Sequence, residues 1–203
     1  MIVMDEENLH LQLLFSTPLW KSKIENFQEV NKTMYGYIKK LHSEGNNGPD
    51  KSAIGGWHSP NFDLNHKEPR QFVNSINKSL NRAFIDMGWD LKSQTVKITG
   101  MWSVINNTGA SNARHIHPNN FLSAAYYVKA PSNCGDIIFY DPRTGPVYRK
   151  PKIANDNKLN ASEVSIQPEE GLLILFPSYL HHSVKANMSD SERIVISFNI
   201  DLN

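Results

Sequence analysis

From residue 94 to its C-terminus the chain is a succession of short extended runs, at 96–106, 121–129, 135–140, 163–167, 171–176, 181–186 and 193–200. Turn-forming residues separate them. Strands this short do not stand alone; they pair and cover an apolar face. A series of them after a helical half predicts an antiparallel sandwich or barrel with helices packed outside. The first helix is read over 26–43, where Phe27, Val30, Met34, Ile38 and Leu41 recur at helical spacing. Asn46-Asn47-Gly48-Pro49-Asp50 ends it. The second is read over 69–88, with Pro69 in its first turn, an apolar face of Phe72, Ile76, Leu80 and Phe84, and Gly88 at its end. Residues 9–24 read as extended, and Gly55-Gly56-Trp57-His58-Ser59-Pro60 reads as a loop. No linker marks the change at 94. The expectation is therefore one domain over 1–203, mainly β with flanking α-helices: a helical, loop-rich part (1–93) packed on a barrel core (94–203).

The last strand alternates. Ile194, Ile196, Phe198 and Ile200 share one face, and Arg193, Val195, Ser197 and Asn199 the other. In 181–186, His182, Val184 and Ala186 oppose His181, Ser183 and Lys185. A lysine seeks water, so Lys185 turns His182 inward and His181 outward. A hairpin around Asn187 to Glu192 that pairs Val184 with Arg193 then puts His182 and Arg193 on one interior face, about 6.6 Å apart along the strand. That spacing suits a small diacid held by a metal at one end and by a guanidinium at the other. On 121–129, Phe121, Ser123, Ala125 and Tyr127 share a face, so Ser123 and Tyr127 can supply hydroxyls beside a bound carboxylate.

His115-Ile116-His117-Pro118 supplies the rest of a metal site. Neutral imidazole is the commonest protein ligand for a transition metal. Histidines at i and i+2 of an extended segment project to the same side. With His182 from a distant strand they make a three-residue facial site with open positions, the geometry of non-haem iron oxygenases.

These residues resemble a known family. Trp102 to Ile200 is similar to the iron(II)/2-oxoglutarate-dependent dioxygenases. Phe176-Pro177-Ser178 followed by His182-Ser183-Val184 looks like their distal-histidine strand, and Tyr126-Tyr127-Val128 like their paired-tyrosine strand. Arg193 falls where the family places its 2-oxoglutarate arginine. HxHP, Gly56-Trp57-His58-Ser59, Asp141-Pro142-Arg143 and Ile196-Ser197-Phe198-Asn199 match a bacterial and phage subgroup. The resemblance implies a double-stranded β-helix (a jelly-roll, cupin-like core) and a hydroxylase dependent on Fe(II), 2-oxoglutarate and O2. It implies that His115, His117 and His182 are the metal and catalytic residues. Arg193 would hold the co-substrate's far carboxylate, helped by Tyr127 or Ser123. Asn106 and Asn199 would donate to it or serve as structural asparagines. The family's usual second ligand is a carboxylate, and here it is His117. Three imidazoles also suit zinc or nickel. A non-catalytic cupin-like metal or small-acid binder, and a three-histidine iron dioxygenase that ignores 2-oxoglutarate, stay open. Arg143 reads either as part of a tight turn or as a contact for an anionic substrate group, and Trp57 and His58 as part of a loop over the site.

Formal charges nearly cancel, at +1, so electrostatics makes no case for nucleic acid or an anionic membrane. No apolar run is long enough for a bilayer span, and Asp5, Glu6 and Glu7 do not resemble a signal peptide. The single cysteine, Cys134, excludes an internal disulfide framework and points to a reducing, cytoplasmic setting. A homodimer is admitted. The substrate, a small molecule or a peptide, is not legible.

Overall fold

The sequence half that reads as strands forms two facing antiparallel sheets in the computed structural model, which describes residues 10–49, 52–143 and 151–203. In chain order the elements are β1 (Trp20–Lys23), α1 (Phe27–Ser43), β2 (Ala53–Ile54), β3 (Trp57–His58), α2 (Lys67–Asp86), β4 (Val96–Asn106), β5 (Ser111–His115) and β6 (Leu122–Lys129). They continue with β7 (Ile137–Tyr140), β8 (Glu163–Ile166), β9 (Leu172–Pro177), β10 (His182–Val184) and β11 (Arg193–Leu202). The larger sheet runs β1-β9-β6-β11-β4-β3, and the smaller runs β2-β5-β10-β7-β8.

Period-two alternation decides which side chains go where. Ile194, Ile196, Phe198 and Ile200 of β11 are fully buried on the outer face of the larger sheet, with Leu122, Ala124, Tyr126 and Val128 of β6. Met34 and Ile38 of α1 and Phe72, Ile76, Leu80 and Phe84 of α2 cover that face. Both helices keep one apolar stripe, as a surface helix must. Pro69 sits in the first turn of α2, where its missing N–H has no intrahelical partner to lose. Gly88 follows the helix in a left-handed conformation, and the Trp89 N–H returns to the Phe84 carbonyl. The inner face carries a second apolar cluster between the sheets: Tyr127, Ile137, Phe139, Ile174, Phe176 and Leu180.

The structure adds β5 (Ser111–His115), which the extended runs did not include, and corrects the strand map in three further places. Of the extended run at 9–24, only Trp20–Lys23 becomes a strand, because β9 offers an edge there; residue 9 lies outside the described residues. The Gly55–Pro60 stretch is not only a loop. Trp57 and His58 add β3 to the edge of β4, and Ala53–Ile54 add β2 to β5. The third correction concerns the chemistry: β10 and β11 do not form a hairpin. β10 pairs with β5 and β7 in the smaller sheet, and β11 with β4 and β6 in the larger. The intervening residues cross between sheets, and Asn187 ties the crossing with bonds to the Asn106 and Ser191 carbonyls.

Candidate active site

The two sheets enclose a cavity of about 300 Å³. β11 lines one wall with Arg193, Val195, Ser197 and Asn199. This is the polar face of the last strand, and it meets the cavity rather than bulk water. β10 lines the opposite wall with His182 and Val184. His182 is 4% exposed while its neighbour His181 is exposed, as the position of Lys185 predicts.

His115, His117 and His182 converge. Each offers a ring nitrogen, and these atoms lie within 4.8 Å of one another. His115 ends β5 directly opposite His182 in the ladder. His117 lies beyond the strand, its backbone N–H held by the Ser178 carbonyl at 3.0 Å. The i and i+2 imidazoles thus converge, although the strand itself stops at the first of them. Nδ1–H of His115 donates to the Ala113 carbonyl (2.7 Å), and Nδ1–H of His182 to the Leu180 carbonyl (3.0 Å). Those bonds leave Nε2 of each ring as a lone-pair donor. Nε2 of His117 and Nε2 of His182 stand 3.3 Å apart. Burial, followed by the neighbouring His115, pulls His182 down to about 3, and burial also lowers His115. Both rings are neutral near pH 7, the form that binds metal. The donor set fits a borderline transition cation such as iron(II), nickel or zinc, since imidazole suits all three.

Arg193 is 1% exposed. Its Nη1 donates to the carbonyls of Cys134 (2.5 Å), Gly135 (2.9 Å) and Lys185 (3.4 Å). Its Nε is buried without a hydrogen-bond partner. No carboxylate pairs with it among the described residues, and burial lowers its pKa. A guanidinium stays protonated even so. A buried, unpaired cation with a spare N–H is costly unless an anion joins it. Tyr127 lines the same cavity, 1% exposed; burial raises its pKa, and the nearby Arg193 partly offsets the rise. Asn106 pairs with Arg193 across the β4–β11 ladder and lines the cavity, its Nδ2 bonded to the Ser111 carbonyl and to Asn112 Oδ1 at 3.5 Å each.

The other expected residues fall differently. Asn199 lines the cavity wall. Ser123 stands behind it. Its hydroxyl donates to Asn199 Oδ1 (2.8 Å) and pairs with the Ser178 hydroxyl (2.7 Å), so it orients the amide from outside the cavity lining. Arg143 is engaged with Asp141 through Nε and Nη2, and the Arg143 N–H closes a turn on the same carboxylate. Residues 144–150 lie outside those described. His58 does line the cavity, from β3, whereas the Trp57 indole is bonded to Asn47 Oδ1. Sequence reasoning missed Trp102 and Phe176, which complete the lining around the histidines. Parity held the signal for Trp102, which shares its β4 face with Val104 and Asn106.

Residues 100–199 match the sequence model of the family described as "Putative 2OG-Fe(II) oxygenase". No curated protein matches the chain. Among solved structures, a Pseudomonas putida prolyl-4-hydroxylase superposes with a TM-score of 0.64 at 13% identity, over 92% of this chain and 93% of that one. A Trichoplax adhaerens prolyl hydroxylase, solved with a hypoxia-inducible-factor peptide fragment, gives 0.62 at 17% identity, over 90% and 83%. HygX from Streptomyces hygroscopicus, solved with nickel and 2-oxoglutarate bound, gives 0.61 at 9% identity, over 91% and 83%. At these identities the likeness is one of fold, the double-stranded β-helix.

Proposed function

This chain belongs, through residues 100–199, to the 2OG-Fe(II) oxygenases, and from that premise we propose that its cavity is the active site, with His115, His117 and His182 as iron ligands and Arg193 as the anchor of the co-substrate. The observation that carries the reading is Arg193. It brings a buried cation with an unpartnered Nε to the same cavity as three converging imidazoles. The 2-oxoglutarate far carboxylate supplies the missing anion, and a charge-assisted bond to it is stronger than a neutral one. The Tyr127 hydroxyl donates to the same carboxylate. Asn106 braces the Arg193 end of the cavity. Asn199, with Oδ1 held by Ser123, keeps Nδ2 as a donor at the other end of the wall. Iron held by these histidines would supply oxygen activation driven by 2-oxoglutarate. The protein's residues bind, orient and keep water out.

Apart from the histidines, Arg193 is the one ionisable group of full charge among the described lining residues. We therefore assign the primary substrate as a small molecule or peptide side chain that is uncharged where it meets the iron. No described helix is long and apolar enough to cross a membrane. The lone buried Cys134 suits the reducing cytoplasm, and we take 1–203 as one functional domain.

The test is anaerobic. Fe(II)-loaded protein is titrated with 2-oxoglutarate while the visible charge-transfer absorption of a keto-acid chelate is followed. The expected result is a saturable band that is lost in Arg193→Met at the same concentrations. Iron binding without any band refutes the reading. It leaves a cupin-like metal binder, or, where oxygen is consumed regardless of 2-oxoglutarate, a three-histidine dioxygenase.

A further inference from the structure

His117 sits past the end of β5, and aromatic rings surround its imidazole. Trp102 stacks on it, with centroids 5.8 Å apart and planes 23° apart, and Phe176 meets it edge-on at 6.4 Å and 70°. Trp102 in turn stacks with His58, at 5.6 Å and 16°. Both stacks fall in the range of centroid separations where offset aromatic pairs attract. The indole stands on rigid backbone. Trp102 is in the middle of β4, paired with Ser197 of β11. His58 is held on β4 by its pairing with Val104, by Nδ1 on the Ser59 carbonyl (2.7 Å) and by the Gly48 N–H on its own carbonyl (2.8 Å).

We propose that Trp102, backed by His58, is a positioning residue for the metal centre, setting the plane of the His117 imidazole. The proposal rests on the reading of His117 as a ligand. An indole that stacks on the His117 ring from a strand paired along its length with β11 limits the plane that ring can take. Groups that orient a ligand typically matter about 10- to 100-fold in metal affinity. The stack also brings one of the four tryptophans against the site, so metal occupancy has an optical reporter.

The test uses the metal alone, Co(II), added to the metal-free full chain without oxygen. Affinity is read by calorimetry, geometry by the visible cobalt spectrum, and proximity by quenching of tryptophan emission. Trp102→Leu should bind about 10-fold or more weakly and show an altered cobalt spectrum. Trp102→Phe, which keeps an aromatic face, should recover most of the affinity. It should also lose most of the cobalt-dependent quenching. Wild-type affinity and spectrum in a folded Trp102→Leu overturn the proposal. Should that variant not fold, undiminished quenching in Trp102→Phe overturns it equally. A wild type that binds no cobalt sinks the three-histidine reading itself. A wild type that binds, with a Trp102→Leu that binds as well, sinks this inference alone.

Discussion

Replacing Arg193 with Met keeps much of the buried volume and removes the guanidinium. Two losses follow, and the structure separates them. The first is the pairing with a bound carboxylate, worth roughly 1.5–3 kcal/mol for a bond to a charged group. Since about 1.4 kcal/mol is tenfold, affinity for 2-oxoglutarate should fall about 10- to 150-fold. The second is internal. Nη1 satisfies the carbonyls of Cys134, Gly135 and Lys185, and Met leaves them bare. At roughly 0.5–1.5 kcal/mol per bond this costs the variant up to a few kcal/mol of folding stability, partly offset because the costly buried charge is removed as well. Its affinity must therefore be measured well below its melting temperature. Anaerobic calorimetry of the metal-loaded protein reads the first loss, and denaturant unfolding of the metal-free protein reads the second. Metal affinity itself should barely change, because the Nη1 bonds of Arg193 run to the backbone carbonyls of Cys134, Gly135 and Lys185 and not to the three imidazoles. Equal 2-oxoglutarate affinity in wild type and folded Arg193→Met would refute the assignment of this buried cation to the co-substrate.

Three further outcomes are expected. His182→Ala should abolish tight Fe(II) binding while His181→Ala largely keeps it, since the first ring is buried in the site and the second is exposed; equilibrium dialysis with the reverse result would undo the face assignment. In the metal-free protein, burial holds the folded-state pKa of His182 at about 3 against an ordinary 6.5, so between those values the unfolded chain binds the extra proton. Stability is then complete above about pH 6.5 and lost as pH falls toward 3, at roughly 1.4 kcal/mol per pH unit for one proton. Urea midpoints in chelator that stay level between about pH 7 and about pH 5 would contradict it. Gly135 has φ +87°, and a Cβ there would meet the Ala186 carbonyl oxygen at 2.7 Å and press on that of Lys185. Gly135→Ala should cost about 1–3 kcal/mol and weaken 2-oxoglutarate binding, because its own carbonyl and that of Lys185 hold Arg193; an unchanged melting temperature would disprove the strain.

Much of the site was legible because strand parity is a local property. Lys185 alone sufficed to turn His182 inward, and the clean alternation of 193–200 put Arg193 and Asn199 opposite the four apolar residues that meet the helices. Both helices read through their apolar spacing, and their ends differ from the expectation by two residues or fewer. The two-residue strands β2 and β3 were not legible. Segments that short carry no period, and they exist because β5 and β4 offer them an edge. Ser123 shows a similar limit: parity placed it inward, but only packing shows its hydroxyl spent on Asn199 and Ser178.

The hairpin drawn between β10 and β11 marks the boundary between the two kinds of information. Alternation says which side chains share an interior, and it says so equally for neighbours in one sheet and for strands facing each other across two. His182 and Arg193 therefore face one cavity although their strands do not pair. The sequence by itself determined that His182 and Arg193 face inward, because each Cβ direction follows from its own strand. Only the tertiary structure decided that they stand on opposite walls, because the burial of two sheets face to face is a non-local choice. That separation leaves the cavity open between a metal site and a cation.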